Sequence, residues 1–159
     1  MTKIRPLSPL DWPVIKRIYQ EGLATGIATF ETQAPATWEL WDQKYLAPCR
    51  WGVEEDADLA AWIALTPFSK RGVYRGVAEI SVYVGEEFRG KGYGKALMRQ
   101  VIQEAPDQGF WTLQSAIFAQ NKASIQLHKQ LGFREVGVRE RIAQRDGQWH
   151  DNVLLELRF

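Results

Sequence analysis

The chain has 159 residues, the length of one ordinary domain, and enough to build a core without a metal or disulfide. Apolar residues make up 45% and charged residues 25%, as in a globular protein, and the formal net charge is only +1. That balance excludes a field able to recruit nucleic acid or a membrane surface, so any anion-binding must be local. The lone Cys49 excludes an internal disulfide and has no Cys/His cluster beside it, so it is read as a structural thiol and no metal is expected.

The elements follow in chain order. Met1 to Leu7 carries no apolar stretch long enough for a signal peptide, and no run of about 20 apolar residues occurs anywhere, so a cytoplasmic location is expected. Ile4 to Leu7 reads as a first strand. Leu10, Val14, Ile15 and Ile18 then recur at helical spacing, with Gly22 and Gly26 as stops. Pro35 opens a second helix bearing Trp38, Leu40, Trp41 and Tyr45. Strands are predicted over 50–54 and 59–65, joined by the acidic turn Glu54 to Asp58, read as a solvated hairpin tip.

Val77 to Val84 is the most informative strand. Ala78, Ile80, Val82 and Val84 alternate with Val77, Glu79, Ser81 and Tyr83. A central strand covered by helices is normally apolar on both faces. Three polar groups on one face suggest that this face lines a site. A loop over 85–94 leads to a helix over 95–105, ended by Pro106 and Gly109. A strand over 111–118 follows, then a helix capped by Asn121 and stopped at Gly132. Two strands around Asp146-Gly147 close the chain. The sum is a single α/β domain over residues 1–159, with a mixed sheet of about seven strands flanked by about four helices.

Arg89-Gly90-Lys91-Gly92-Tyr93-Gly94-Lys95 lies between a strand and a helix. Alternating glycines let a ligand approach the backbone and permit positive φ, which turns successive N–H groups the same way. At a helix N-terminus those donors meet the positive end of the macrodipole. Each charge-assisted bond there contributes about 1.5–3 kcal/mol. A diphosphate fits. The spacing G-x-G-x-G is not the dinucleotide fingerprint G-x-G-x-x-G. A nucleotide-triphosphate loop is excluded because Gly92 stands where a Ser or Thr must bind Mg²⁺, and Glu86-Glu87 would face the phosphates.

Arg89-x-x-Gly92-x-Gly94 after Ser81-Val82-Tyr83-Val84 resembles the acetyl-CoA signature of the GNAT acetyltransferases. Asn121-Lys-Ala-Ser124-Ile-Gln-Leu127-His128-Lys-Gln-Leu131-Gly132-Phe133 resembles their second signature. Thr29-Phe30-Glu31, Glu79-x-Ser81-Val82-Tyr83-Val84, Leu127-His128 and Gly147-x-Trp149-His150-Asp151 are similar to the phosphinothricin and methionine sulfoximine N-acetyltransferase branch. The resemblance implies a GNAT-like fold with a mostly antiparallel sheet, acetyl-CoA as co-substrate, a small amino-acid-like amine as acceptor, and a homodimer. It also implies that Val82, Tyr83 and Val84 pair with the pantetheine arm and that Arg89, Gly90, Lys91, Gly92, Tyr93, Gly94 and Lys95 hold the pyrophosphate. Asn121 and Ser124 would hold the pantetheine, and a backbone N–H at a bulge within Ser81–Val84 would meet the oxyanion.

Acetyl transfer to an amine needs a base, an oxyanion partner and a route for the thiolate to leave. Glu79 is the candidate base, directly or through a water, because partial burial would raise its pKa toward a useful value. The alternative is a carboxylate paired with Arg75. His128 stands where many family members carry a tyrosine near the leaving sulfur, so either His128 or Tyr83 is the candidate acid, and His128 is equally read as a packed core residue. Arg71 and Arg75 are candidate forks for a substrate carboxylate. Phe30, Glu31 and Ser81 are expected at the acceptor, and His150 is a weaker candidate there. Trp38, Trp41 and the 67–75 loop are read as a lid over a small pocket. The alternatives are a protein or peptide N-acetyltransferase, which needs an open groove, and a non-catalytic acyl-CoA-binding module, which needs no base.

Overall fold

The computed structural model describes all 159 residues. Seven strands, β1 (Thr2–Pro6), β2 (Trp51–Glu55), β3 (Asp58–Pro67), β4 (Val77–Val84), β5 (Thr112–Phe118), β6 (Arg134–Arg145) and β7 (Gln148–Arg158), form one sheet in the order β1-β2-β3-β4-β5-β7-β6. Four α-helices accompany them, α1 (Trp12–Ala24), α2 (Trp38–Lys44), α3 (Tyr93–Glu104) and α4 (Lys122–Gln130). Every neighbouring pair of strands is antiparallel except β4 and β5, so the mixed sheet expected from the sequence is present.

The sheet separates two apolar cores. On one side Ala78 and Ile80 of β4 and Leu113 and Ile117 of β5 pack with Leu97, Met98 and Val101 of α3 and Ile125 of α4. On the other, Ile15, Ile18 and Tyr19 of α1 and Trp41 of α2 close over Trp62 and Ala64 of β3. Trp62 is fully buried and organises that second core. Its indole N–H donates to the Ile15 carbonyl at 3.2 Å, and the rings of Tyr19, Trp41, Tyr45 and Tyr83 surround it. Burying aromatics of this size contributes more than any other side-chain class, with roughly 0.5–1.5 kcal/mol per ring pair beyond area burial.

Several boundaries differ from the sequence reading. Gly22 does not stop α1; it lies inside the helix, where Tyr83 packs so closely that a Cβ would come within 2.6 Å of its ring. The second helix begins at Trp38 rather than Pro35, because the Thr37 side chain accepts from the Leu40 N–H and supplies the cap. Trp38 and Trp41 are not a lid: Trp41 is fully buried, Trp38 stacks upon it, and neither lines the site cavity. The acidic hairpin is more than a solvated tip, since Glu54 pairs with Lys3 and Arg5, and Glu55 with Lys91. Helix α3 starts at Tyr93, inside the glycine segment, and not at Lys95. No helix is long and apolar enough to cross a membrane.

Candidate active site

The site arises from a fork in the sheet. Strands β4 and β5 pair only over Val77↔Thr112, Ala78↔Leu113 and Glu79↔Gln114. Beyond that point they separate, and β4 from Ile80 to Val84 has no strand on that side. Its other edge stays paired with β3 in unbroken register from Ala78 to Val84. The bulge expected within Ser81–Val84 is therefore absent; the divergence of β5, not an inserted residue, leaves this edge open. A cavity of about 450 Å³ fills the fork and reaches both faces of the sheet.

One mouth of the fork meets the glycine segment. Gly90 and Gly92 have φ of +80° and +83°, and a Cβ at either would meet nothing within 4 Å. Gly92 caps α3 in the left-handed region, without a side-chain cap bond. The first backbone bond of the helix is Ala96 N–H to Gly92, and the amides of Gly90 through Lys95 find no acceptor in the chain. An open cradle of unpartnered donors at the positive end of a helix fits a pyrophosphate. Gly94 lies against Val82 and Val84, which ties the cradle to the open edge of β4. The basic side chains are less available. Lys91 is engaged by both oxygens of Glu55 at 2.9 Å, and Arg89 reaches the Glu21 carbonyl at 3.4 Å.

On the same face Asn121 caps α4. Its Oδ1 accepts from the Ser124 N–H at 3.2 Å, leaving the NH₂ end of the amide for another acceptor. His128, buried on this helix, has Nδ1 2.7 Å from the Ser124 carbonyl and Nε2 2.8 Å from the Ser115 hydroxyl. A carbonyl only accepts, so Nδ1 carries the proton, and in the neutral ring Nε2 accepts from Ser115. Burial pushes the His128 pKa down, and its bond to the Ser124 carbonyl opposes that only in part.

The opposite face holds the acidic side chain. Glu79, Ser81 and Tyr83 line the cavity together with Phe30, Glu31, Tyr19, Lys44 and Tyr45. Glu79 has no salt-bridge partner. Burial raises its pKa, and the more distant charges of Arg139 and Lys44 only partly offset that. Burial likewise pushes the Tyr19 phenol up to about 12 and raises Tyr83 well above its ordinary value, with Tyr45 and Tyr19 adding to the Tyr83 shift. These phenols stay protonated at neutral pH. Phe30 packs 4.3 Å from Phe118 at the far wall.

The fork therefore gathers Glu79, Ser81, Val82, Tyr83, Phe30, Glu31, Asn121, Ser124 and His128 into one cavity. Arg71 and Arg75 are not among its lining residues. Arg71 stacks over Tyr74, and Arg75 over Trp111 while reaching the Gly72 carbonyl, so Glu79 is not paired with Arg75. His150 is also outside the lining; it stacks on Phe118 and bonds Gln120 at 2.9 Å. Residues missed in the sequence include Tyr19, Lys44, Ser115, Arg139 and Asn152. Nothing local marks them, because each arrives from a separate element and only the fold brings them together. Arg145 was missed too, although a buried arginine with carbonyl partners far away in sequence leaves no pattern to read.

Comparison with known proteins agrees with this geometry. The sequence profile of the acetyltransferase (GNAT) family matches residues 12–133. YwnH of Bacillus subtilis, provisionally named a phosphinothricin acetyltransferase, is 33% identical over 150 residues, 91% of each chain. The L-methionine sulfoximine/L-methionine sulfone acetyltransferase of Pseudomonas aeruginosa is 40% identical over 84 residues, which are 53% of this chain and 49% of that one. Among solved structures, a GNAT superfamily phosphinothricin acetyltransferase from Sinorhizobium meliloti in complex with acetyl-CoA superposes with a TM-score of 0.89 at 26% identity, covering 99% of this chain and 88% of that one. With the glycine cradle, the forked sheet and the profile match in agreement, the chain belongs to the GNAT family and is an acetyl-CoA-dependent N-acetyltransferase related to the phosphinothricin and methionine sulfoximine acetyltransferases.

Proposed function

We propose that the acceptor is the α-amine of a small amino-acid-like compound of the phosphinothricin or methionine sulfoximine type. The observation that carries this reading is the cavity itself, whose walls bring the unpaired carboxyl of Glu79 together with the cations Lys44 and Arg139. A zwitterion offers one charge to each. The enclosing Phe30 and Phe118 and the buried phenols suit a small ligand better than an extended peptide.

Acetyl-CoA supplies the activated acetyl thioester. The amides from Gly90 to Lys95 hold its pyrophosphate, the open edge at Val82 and Val84 lies beside the pantetheine, and the Asn121 NH₂ end and Ser124 bind that arm further along. Glu79 takes a proton from the acceptor ammonium, directly or through one water, and frees the nitrogen lone pair for the carbonyl carbon. The C–N bond forms as the C–S bond breaks, and the second proton shed by the nitrogen replaces the one given to the departing sulfur. His128 presents a lone pair toward Ser115, not a proton, so the proton for the departing sulfur is assigned to Tyr83, whose phenol remains protonated. The exposed apolar side chains Val136, Val138 and Ile142 on edge strand β6, with Trp149 on β7, support a homodimer through this hairpin, which sedimentation would test.

Thiol release from acetyl-CoA, measured with a panel of amines, tests the reading. Methionine sulfoximine, phosphinothricin and methionine sulfone are expected to turn over in preference to a polyamine and a short peptide. Turnover confined to the peptide would replace the small-molecule reading with a protein N-acetyltransferase, and acetyl-CoA binding with no turnover on any amine would favour a non-catalytic module.

A further inference from the structure

Ser115 and His128 are buried polar side chains that line the fork and that transfer to the amine does not use. Ser115 is the first residue of β5 past its last pairing with β4, Glu79↔Gln114, so it stands at the apex of the fork. Its hydroxyl has one hydrogen-bond partner, His128 Nε2 at 2.8 Å. The ring is fixed in turn: Nδ1–H is held by the Ser124 carbonyl at 2.7 Å, and Phe133 packs edge-on with centroids 5.0 Å apart. A hydroxyl on a neutral imidazole, itself oriented by a third group, is the arrangement that activates an oxygen nucleophile. Burial keeps the ring neutral, the form a base needs. The open edge of β4 adds a donor. Gly85 N–H donates to the Ala60 carbonyl at 2.8 Å and Phe68 N–H to the Val77 carbonyl at 3.3 Å, so by alternation Ser81 and Tyr83 bond β3. The N–H of Val82 therefore faces the fork, where no strand takes it.

We propose that Ser115 and His128 form a nucleophile–base pair that gives the chain a second activity, hydrolysis of acetyl-CoA through an acetyl ester on Ser115. The proposal rests on acetyl-CoA occupying the fork and is independent of which amine is the acceptor. Ser115 Oγ passes its proton to His128 Nε2 and bonds the thioester carbonyl carbon. The Val82 N–H donates to the oxygen that takes up the negative charge. The C–S bond breaks, and the imidazolium gives its proton to the departing sulfur. A water then yields a proton to Nε2, its oxygen bonds the ester carbon, and the C–Oγ bond breaks. Ser115 Oγ recovers that proton, and acetate leaves with the other water proton released to solvent. An acceptor amine in the fork competes for the same thioester carbon, so this route operates when the acceptor is absent.

The test incubates the protein with acetyl-CoA and no amine, quenches in acid and weighs the intact chain. A gain of one acetyl group, mapped to Ser115, is expected together with slow thiol release. Ser115→Ala and His128→Gln should each lower that thiol release about a hundred-fold, the usual contribution of a positioned base. Acetyl-CoA binding, followed by fluorescence titration, reports whether each variant is folded. Ser115→Cys should restore the acetylation, which a residue needed only for packing would not explain. p-Nitrophenyl acetate should label the same residue with no CoA present. An acetyl group mapped to a lysine instead of Ser115, or amine-free thiol release that persists in Ser115→Ala, would overturn the proposal. So would a wild-type chain that binds acetyl-CoA and neither gains the group nor releases thiol, with transfer to amines left standing. If the wild-type chain does not bind acetyl-CoA at all, the cofactor reading falls with it.

Discussion

The guanidinium of Arg145 donates at 2.6 Å to the carbonyl of Thr29, 116 residues earlier in the chain. The same group reaches the carbonyls of Glu31 at 3.1 Å and Leu23 at 2.6 Å. One buried side chain on the β6–β7 hairpin thus holds the segment that carries Phe30 and Glu31 against the cavity. Arg145→Met leaves those carbonyls without their donor, and a loss of about 2–4 kcal/mol in stability is expected by denaturant titration. The KM for the acceptor should rise several-fold while that for acetyl-CoA stays the same, because the glycine cradle lies elsewhere.

Gly22 and Tyr83 are in mutual contact at a distance no side chain can share. A Cβ on Gly22 would lie 2.6 Å from Tyr83 Cδ1, and the ring has no room to retreat between Tyr19 and Trp62, each 5.0 Å from it. Alanine normally stabilises a helix interior relative to glycine by about 0.5–1 kcal/mol. Here the overlap outweighs that gain, so Gly22→Ala should destabilise by roughly 1–3 kcal/mol. A raised melting temperature would contradict the packing described.

The pKa of Glu79 is raised by burial, which has consequences for both rate and stability. Activity needs the carboxylate, so kcat/KM should climb with pH through a limb above the ordinary carboxylate range, and Glu79→Gln should abolish that limb while still binding acetyl-CoA. For stability, the folded state binds the proton more tightly than the unfolded state. Stability is therefore highest below the unfolded pKa of 4.5 and is lost as pH rises through the folded value. Glu79→Gln removes this loss, so the inactive variant should unfold at a higher temperature than the wild type at neutral pH.

His128 works in the opposite sense. Its folded pKa is pushed below 6.5, so the unfolded chain takes up the proton first and stability should fall as pH drops below that value. Melting curves between neutral and mildly acidic pH check this, with His128→Gln expected to flatten the dependence. Full kcat in His128→Ala would assign the ring to packing, consistent with its closed bonds to Ser124 and Ser115.

Gly92→Ala tests the cradle. At φ +83° an L side chain costs about 1–2 kcal/mol even where space is open. The variant should weaken acetyl-CoA binding, measured by fluorescence titration, by about ten-fold, with a much smaller effect on acceptor KM.

Much of this protein was legible in one dimension. Strand periodicity, the Asn121 cap and the interleaved glycines are local signals, because backbone conformation and nearest-neighbour hydrogen bonds create them. They located β4 at its observed bounds, placed Glu79 on a polar face, and marked the cradle and its family. The basic loop at Arg71 and Arg75 lies outside the cavity lining: sequence proximity to Glu79 says nothing about which way a loop turns, and these side chains turn onto Tyr74 and Trp111. Only the tertiary structure decided where β5 leaves β4, and hence where the cavity opens. It alone brought Lys44 from α2, Arg139 from β6 and Asn152 from β7 to one cavity, and set Arg145 against Thr29. Those relationships depend on strand order and long-range register, which follow from how the two cores pack against the sheet and not from any short stretch of residues.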